Sequence, residues 1–295
     1  MSEVDTARRG ITHGSRINEF FRRTIALDTG VSMSFVAKDG VDIYYDTYRG
    51  EGEKSRSWLT FAHGAGGNAA SWWQQVPYFF DDYDIMTFDH RAFGRSRCRD
   101  EEFDPDLFAD DLRSVLDAEG IDRTALCCQS MGGRTGLDFA LFEPDRVSAL
   151  VMSHTVGGLS SEAIDEVRRS HERPQPTQPF GSWAVALDLP EKNRALSHLY
   201  NCIGAMNLDF SRVGLGGLRS RGKQIDSTEM VAFKTPTLFI TADKDVVVPP
   251  RVVEIGAAMV PGATLVNLGD AGHSSYFEIP DQFNRVVGEF LQLHQ

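Results

Sequence analysis

Short apolar segments alternate with helical patterns along most of this chain, and this alternation limits its fold more than any other feature. The strand-like segments are residues 31–36, 41–45, 58–62, 85–88, 125–128, 147–152, 237–241 and 264–268. Helical patterns lie between them, at residues 68–78, 104–119 and 131–142, and a last one covers 281–293. Strands separated by helices pair in parallel and need helices over both faces. We therefore predict an α/β fold with a mostly parallel, doubly wound sheet, which begins with a hairpin whose strands are separated by Lys38, Asp39 and Gly40.

The alternation is interrupted between residues 158 and 232. This segment contains Pro174, Pro176 and Pro179, several glycines and helical patches, and it lies between two predicted strands. A connection of this length is rarely a plain loop. We predict a helical lid at residues 158–232, inserted into one sheet domain that is formed by residues 31–157 and 233–295. Residues 1–30 form an N-terminal extension in this interpretation.

The composition excludes several classes of protein. Hydrophobic residues make up 41% of the 295 residues, and 30 Lys and Arg against 42 Asp and Glu give a net charge of −12. Nucleic acids and anionic membranes attract clustered positive charge, so neither is an expected partner. No apolar run reaches the roughly 18 residues of a membrane span, and no signal peptide is expected. Four cysteines without paired spacing argue against a disulfide scaffold, and a reducing cytoplasm is the expected location.

The most informative local pattern is CQSMGG at residues 128–133. A predicted buried strand ends at Gln129 and a predicted helix begins near Met131, so Ser130 falls on a sharp strand-to-helix turn. Such a turn lifts a serine above the edge of a sheet and requires small neighbouring residues. A serine that only caps the helix N-terminus is the alternative interpretation of the same pattern.

Two later strand ends carry the partners that a reactive serine needs. A serine hydroxyl requires a base, and the base requires an acid that orients it. The strand at 237–241 leads into a polar turn with Asp243 and Asp245, and a loop at 269–280 contains His273. Either carboxylate would be an ordinary solvated turn residue if the serine were unreactive.

Taken together, these segments resemble the α/β-hydrolase fold family. The serine turn resembles the nucleophile elbow G-x-S-x-G of that family, with Cys128 in place of the first glycine. The resemblance implies that Ser130 is the nucleophile and His273 the base. Asp245 takes the acid position by its spacing to the following proline, and Asp243 is its competitor. The family chemistry implies a small-molecule substrate, no metal and no organic cofactor.

Two further loops extend the resemblance. Residues 61–67 read FAHGAGG after a predicted strand. In the family, a His-Gly segment at this place donates one backbone N–H to the oxyanion hole. By match, the two donors are the N–H groups of Ala65 and Met131, and His63 orders the loop. Residues 89–96 resemble the D-x-R-G-x-G-x-S turn of the family, with Ala92 in place of glycine, and we predict a structural role for them.

Two other classes of protein fit parts of the sequence. Residues 64–69 formally match the dinucleotide-binding pattern G-x-G-x-x-A, and Asp89 ends the next strand. Two strand-like runs precede this pattern, however, and an NAD-dependent oxidoreductase leaves the serine, acid and histidine loops unexplained. A ligand-sensing binding protein is the second alternative, because a fold does not determine a function.

The resemblance implies a serine hydrolase that cleaves an ester or lactone bond of a small, mainly apolar substrate through an acyl-enzyme. Epoxide hydrolases and haloalkane dehalogenases carry aspartate at the elbow, where this chain has Ser130. Ring-fission C–C hydrolases carry tryptophan after the histidine, where this chain has Ser274. A C–C hydrolase of the β-diketone type is therefore the second choice.

The substrate pocket is predicted between the lid and the carboxyl ends of the strands. Six residues are predicted to line it: Trp72, Trp73, His154, Trp183, Met206 and Phe210. Ordinary core packing is the alternative for the aromatic residues. A buried histidine with satisfied hydrogen bonds is the alternative for His154.

Overall fold

The described residues form one sheet of nine strands. The computed structural model describes residues 22–26, 31–50, 56–209 and 224–294. The strands are β1 (Arg22–Ala26), β2 (Val31–Lys38), β3 (Val41–Tyr48), β4 (Trp58–Ala62), β5 (Asp84–Phe88), β6 (Thr124–Gln129), β7 (Val147–Ser153), β8 (Thr237–Thr241) and β9 (Thr264–Asn267). Their order in the sheet is β1-β2-β3-β5-β4-β6-β7-β8-β9. The strands from β1 through β3 to β5 pair antiparallel, and those from β5 through β4 to β9 pair in parallel. The predicted mostly parallel sheet is confirmed.

The hairpin of β2 and β3 follows from its two-residue turn. Asp39 and Gly40 have φ values of 49° and 85°. A type I′ turn requires positive φ at both positions, and Asp-Gly is a preferred pair there. β1 adds a further strand beside β2, so the sheet begins before residue 31, within the predicted N-terminal extension. Residues 1–21 and 27–30 lie outside the described part of the chain.

Ten α-helical segments accompany the sheet in the described residues. They are α1 (Gln75–Phe79), α2 (Phe108–Ala118), α3 (Gly132–Phe142), α4 (Glu162–Ser170), α5 (Leu189–Lys192), α6 (Arg194–Gly204), α7 (Ser227–Met230), α8 (Pro250–Met259), α9 (Ser275–Glu278) and α10 (Pro280–Leu293). The single helix predicted over 68–78 is instead a 3-10 turn at Ala69–Trp72 followed by α1. Pro77 explains the interruption, because it lacks the N–H that a continuous helix would donate to the carbonyl of Trp73.

Two buried apolar clusters lie on opposite faces of the sheet. Along β6, Leu126 and Cys128 belong to one cluster, whereas Ala125 and Cys127 belong to the other. Successive side chains of a strand point to opposite faces, so both faces of β6 are covered. Helices α2, α3 and α8 contribute to the first cluster, and α1 and α10 contribute to the second. This double burial explains why β6 is apolar throughout and does not alternate with polar residues.

The segment between β7 and β8, residues 158–232, contains α4, α5, α6 and α7. We call it the inserted segment; its residues 210–223 lie outside the described part. Among the helices that the structure describes, none combines the length and hydropathy needed to cross a lipid bilayer. The four cysteines of the sequence are free thiols. The parallel strands β4, β6, β7 and β8 end at the same edge of the sheet, where ligands bind in open α/β sheets.

Candidate active site

Ser130 lies on the turn between β6 and α3. Its φ of +50° is in the left-handed region that non-glycine residues rarely adopt. The Ser130 N–H donates to the carbonyl of Ser153 at the end of β7 (2.9 Å). A methyl group on Gly132 would lie 2.3 Å from the carbonyl oxygen of Ala62. The small residue after the serine is therefore required, because α3 begins in direct contact with the end of β4.

Cys128 occupies the position where the family pattern has glycine. The side chain is fully buried on the α3 side of β6. A methyl group on Gly136, one turn into α3, would lie 2.4 Å from the Cys128 sulfur. The missing side chain at Gly136 thus leaves the room that the Cys128 side chain fills. Burial also raises the pKa of the Cys128 thiol, so this cysteine is a neutral packing residue.

Ser130, His273 and Asp245 form a continuous hydrogen-bonded chain. The Ser130 hydroxyl lies 2.8 Å from His273 Nε2. His273 Nδ1 lies 2.9 Å from Asp245 Oδ2. His273 and Asp245 are buried, and Ser130 is partly exposed. An ionised carboxylate only accepts hydrogen bonds, so His273 carries its proton on Nδ1 and offers the lone pair of Nε2 to the serine.

The structure brings Asp245, and not Asp243, to His273. Asp243 is exposed, and its carboxylate accepts from the Asn267 amide (2.8 Å). Asp245 Oδ1 accepts the backbone N–H groups of Val247 (2.8 Å) and Val248 (2.9 Å). Burial by itself would raise the pKa of Asp245, but the neighbouring charge and hydrogen bonds of His273 and His154 hold it below its ordinary value.

His154 is the second histidine on the same carboxylate. Its Nδ1–H donates to Asp245 Oδ2 (2.9 Å), and its Nε2 lies 2.7 Å from the Ser275 hydroxyl. The side chain is completely buried. The tentative prediction that His154 lines the substrate pocket therefore does not fit, because both ring nitrogens are already bonded within the protein and neither reaches solvent.

The loop after β4 lies directly beside the serine. A methyl group on Gly64 would lie 3.0 Å from Ser130 Cβ. The Nδ1–H of the completely buried His63 donates to the Gly64 carbonyl (2.8 Å), and its Nε2 accepts the His90 N–H (3.0 Å). Within the described residues, neither the Ala65 N–H nor the Met131 N–H donates a hydrogen bond to another group. These are the two N–H groups that the sequence predicts as oxyanion donors.

The turn at residues 89–96 is hydrogen-bonded to the loop that follows β4. Asp89 accepts the N–H groups of Ala69 (2.6 Å) and Arg95 (2.7 Å). Arg91 forms a fully buried ion pair with Asp111. Ala92 has a φ of 72°, the backbone conformation that the glycine of the family pattern would adopt freely. The substitution is tolerated here at the cost of local backbone strain.

The remaining tentative pocket residues are distributed over different environments. Trp72 is completely buried in the second core cluster, where its ring lies against Phe61 and Tyr276. It is a core residue, as the alternative interpretation held. Trp73 and Met206 are exposed. Trp183 is partly exposed and donates its indole N–H to the Pro174 carbonyl. Phe210 lies outside the described residues.

Several residues that the sequence analysis did not single out support the site. The Gln129 amide, next to Ser130, donates to the His273 carbonyl (3.0 Å). Asn207, at the end of α6, donates to the Gly66 carbonyl (2.8 Å) and accepts the Gly94 N–H (2.7 Å). Gln129 was open to prediction, because it lies in the elbow pattern. Asn207 was not, because its partners are more than 100 residues away in the chain.

The inserted segment is attached to both the acid loop and the histidine loop. Lys244, beside Asp245, pairs with Asp188 of the inserted segment (2.6 Å) and with Asp270 of the histidine loop. Lys192, on α5, also pairs with Asp270 (2.8 Å). These groups are partly exposed, so each pair contributes little on its own. Together, these ion pairs connect residues 188–192 to the acid loop and the histidine loop.

A partly buried carboxylate strengthens the same attachment. Glu278, on α9, accepts the N–H of Gly272 (3.1 Å) and the N–H of Ala186 (3.0 Å) in the inserted segment. Burial raises the pKa of Glu278 despite these hydrogen bonds. A methyl group on Gly272 would lie 2.1 Å from the Ala186 nitrogen. Gly272 is therefore the residue that lets the inserted segment pack directly against the loop that carries His273.

The residues His154, Asp245 and His273 also have the composition of a metal site. Their ligand atoms lie within 4.8 Å of one another, and in the described residues no other group of three does so. Each imidazole directs an Nδ1–H at the carboxylate, and this accounts for the cluster as a hydrogen-bonded unit.

The fold agrees with the comparisons to known proteins. The sequence profile of the alpha/beta hydrolase fold matches residues 58–186. The chain belongs to the α/β-hydrolase fold superfamily, and it is a hydrolase.

Three similar proteins illustrate the range of the superfamily. The 3-oxoadipate enol-lactonase 2 of Acinetobacter baylyi is 26% identical over 259 residues, which cover 84% of this chain and 92% of the relative. The 2-hydroxy-6-oxononadienedioate/2-hydroxy-6-oxononatrienedioate hydrolase of Burkholderia vietnamiensis is 29% identical over 282 residues, covering 87% and 94%. The crystal structure of the enol-lactonase from Burkholderia xenovorans LB400 superposes with a TM-score of 0.72 at 20% identity, covering 88% of this chain and 99% of that one.

Proposed function

We propose that this protein is a serine hydrolase that cleaves an ester or lactone bond of a small, mainly apolar substrate through an acyl-enzyme. The observation that carries the proposal is the hydrogen-bonded chain from Ser130 through His273 to Asp245, with distances of 2.8 and 2.9 Å. The strained φ of Ser130 supports it, because such backbone strain is typical of reactive positions.

The proposed reaction begins with proton transfer from Ser130 to His273 Nε2. The serine oxygen attacks the carbonyl carbon, and the N–H groups of Ala65 and Met131 bind the resulting oxyanion, each contributing about 3 kcal/mol. His273 then donates its proton to the leaving oxygen. Water, deprotonated by the same imidazole, attacks the acyl-enzyme; the bond to the serine oxygen then breaks, this oxygen takes the proton back from His273, and the acid is released. Asp245 keeps the imidazole in the required tautomer throughout.

Two features support the proposed substrate class. One of the curated relatives is named as an enol-lactonase. Lactone opening needs the same groups as ester cleavage: a nucleophile, a base with its acid, and two oxyanion donors. The nearby cations Lys192 and Lys244 are engaged with Asp188 and Asp270, which does not favour an anionic substrate.

A C–C hydrolase of the β-diketone type is the second candidate. It is favoured by the relative from Burkholderia vietnamiensis, whose name describes a 2-hydroxy-6-oxo-dienedioate hydrolase. In this chain Ser274 follows the histidine, and its hydroxyl donates to Tyr200 of α6 (3.3 Å). The two candidates share Ser130 and His273, so the substrate itself discriminates between them.

The test is a panel of chromogenic esters, lactones and β-diketones with the wild type and Ser130→Ala. We expect turnover of esters or lactones, with a loss of roughly 10⁴-fold or more in Ser130→Ala. Ser114→Ala is the matched control, because Ser114 is a buried serine on α2 that bonds only the Asp110 carbonyl. Preferential turnover of β-diketones would replace the first candidate by the second.

Three results would overturn the proposed hydrolase mechanism. Near-normal turnover by Ser130→Ala would exclude the covalent route. Binding of a panel compound without turnover would indicate a ligand sensor, and nucleotide-dependent absorbance changes at the Gly64–Ala69 loop would revive the oxidoreductase alternative.

We also propose that residues 158–232 act as the lid of the pocket and that the protein works in the cytoplasm, where its four free thiols stay reduced.

A further inference from the structure

The carboxylate of Asp245 accepts four N–H groups. Oδ1 accepts the backbone N–H groups of Val247 and Val248. Oδ2 accepts the Nδ1–H of His273 and the Nδ1–H of His154, each at 2.9 Å. A carboxylate has about four acceptor positions, so this one is saturated. His273 is the one donor that belongs to the serine, histidine and aspartate chain, and His154 is an additional side-chain donor on the same oxygen.

His154 and Ser275 repeat the arrangement of His273 and Ser130 on the other side of the same oxygen. Because His154 donates from Nδ1 to an ionised acceptor, its Nε2 carries the lone pair and accepts the Ser275 hydroxyl proton (2.7 Å). The two imidazole rings lie 5.6 Å apart in an edge-to-face arrangement. His154 and Ser275 are both completely buried, so the second pair cannot meet a substrate.

The backbone around His154 has the geometry of a residue held in place for this contact. Its φ of 54° lies in the left-handed region, which costs a non-glycine residue about 1 kcal/mol or more. Its N–H donates to the Ile240 carbonyl of β8 (2.8 Å), and the preceding Ser153 carbonyl accepts the Ser130 N–H. The end of β7 thus fixes the serine turn and the second histidine together.

We propose that His154 is a positioning residue, which holds Asp245 in place and shares Asp245 Oδ2 with His273. The carboxylate then orients the His273 imidazole without stabilising its protonated form too strongly. This inference rests on the proposed roles of Ser130 and His273. A neutral N–H on Oδ2 withdraws part of the negative charge that would otherwise face His273. Without it, the carboxylate stabilises the imidazolium more strongly, and the base stays protonated to a higher pH.

The charged surroundings of His154 are simple enough for a clear pH experiment. Among the described residues, the ionisable groups that face it are Asp245 and His273, and Ser275 and the Ile240 carbonyl complete its polar contacts. Burial, opposed by Asp245, lowers the pKa of His154. This direction favours the neutral form of His154, in which Nδ1–H donates to Asp245.

The first experiment measures the rate of phosphonylation of Ser130 by a fluorophosphonate as a function of pH. This reagent reports the reactivity of Ser130 even where no substrate is turned over. His154→Phe keeps an aromatic ring and removes both ring nitrogens, and we expect its acid limb to move upward by about half to one pH unit. His154→Asn keeps an N–H at the position of Nδ1 and tolerates positive φ, so it should restore most of the wild-type profile.

The second experiment detects the two N–H groups directly by proton NMR of the wild type. Each Nδ1–H that is bonded to the buried carboxylate should give a separate, slowly exchanging downfield resonance. We expect two such resonances in the wild type and in Ser130→Ala, one in His154→Asn, and a shifted His154 signal in Ser275→Ala. This readout is independent of the fold-stability of His154→Phe.

The outcomes separate this inference from the proposed function. An unchanged acid limb in a folded His154→Phe, or a single downfield resonance in the wild type, would overturn the role of His154 and leave the hydrolase proposal intact. Two resonances with no reaction at Ser130 would overturn the proposed function instead. A rate that falls equally at all pH values in His154→Phe would indicate packing alone and would also refute the inference.

Discussion

Gly132→Ala tests whether the contact between β4 and α3 controls the geometry of the site. The added methyl group would lie 2.3 Å from the Ala62 carbonyl oxygen and 2.9 Å from the His63 carbonyl oxygen. Ordinary contact begins at 3.4 Å, so the start of α3 and the end of β4 must separate by about 1 Å. Both neighbours are backbone and neither can rotate away.

The separation moves the proposed oxyanion donors apart, since Ala65 follows β4 and Met131 begins α3. A misplacement of about 1 Å can lower turnover by about 10²-fold. Overpacking of a core costs about 1–3 kcal/mol, and better helix propensity returns at most about 1 kcal/mol. We therefore expect a loss of about 1–2 kcal/mol in the free energy of unfolding, together with the loss in turnover.

Gly288→Ala is the matched control on α10. The methyl group added there would have Phe79 as its nearest neighbour, at an ordinary distance of 3.6 Å. Its replacement should raise the free energy of unfolding by about 0.5–1 kcal/mol without changing turnover. Urea unfolding and steady-state kinetics of both variants provide the comparison. Wild-type stability and turnover in Gly132→Ala would refute the reasoning.

Three further predictions follow from residues around the site. Burial lowers the pKa of His63 to about 4 from an ordinary value of 6.5. As the pH falls, this histidine is therefore protonated in the unfolded chain before it is protonated in the folded protein. Between pH 6.5 and about pH 4, the free energy of unfolding should decrease by about 3 kcal/mol for this reason. Urea titrations near pH 7 and about pH 4.5 should show a smaller decrease in His63→Gln, and an equal decrease would contradict the assignment. Cys128→Gly restores the family pattern but empties the space above Gly136, so urea unfolding should show a loss of about 1–2 kcal/mol, and unchanged stability would contradict that packing. Asn207→Ala should lower kcat by about tenfold with little change in KM, because the Gly66 carbonyl loses the hydrogen bond from the Asn207 amide. Asn207→Asp keeps the acceptor oxygen but not the amide donor, so its kinetics should resemble those of Asn207→Ala. Wild-type kinetics in both variants would contradict the proposed support of the loop by Asn207.

The order of strands and helices was accessible from the sequence because apolar runs and their punctuation are local signals. The Asp39-Gly40 turn specifies its own hairpin through two positive φ values. The position of Ser130 between β6 and α3 follows from the same local reasoning. The choice of Asp245 over Asp243 needed the family resemblance, since both are carboxylates in one turn and only their direction differs.

The orientation of single side chains was not accessible in the same way. Trp72 and Trp73 are adjacent, yet the first is completely buried and the second is 46% exposed. His154 was correctly placed at a strand end near the site, but its contact with Asp245 depends on a positive φ. No periodic pattern encodes such a backbone conformation.

The attachment of the inserted segment has a consequence for chimeras between members of this superfamily. An exchange of residues 158–232 alone would remove Asp188 and Lys192, and Lys244 and Asp270 would each lose one counter-ion. It would also replace the backbone that places the Ala186 N–H on the partly buried Glu278. The natural unit of recombination is therefore larger than the insertion: a functional graft has to include matching residues at 244, 270, 272 and 278 from the sheet domain.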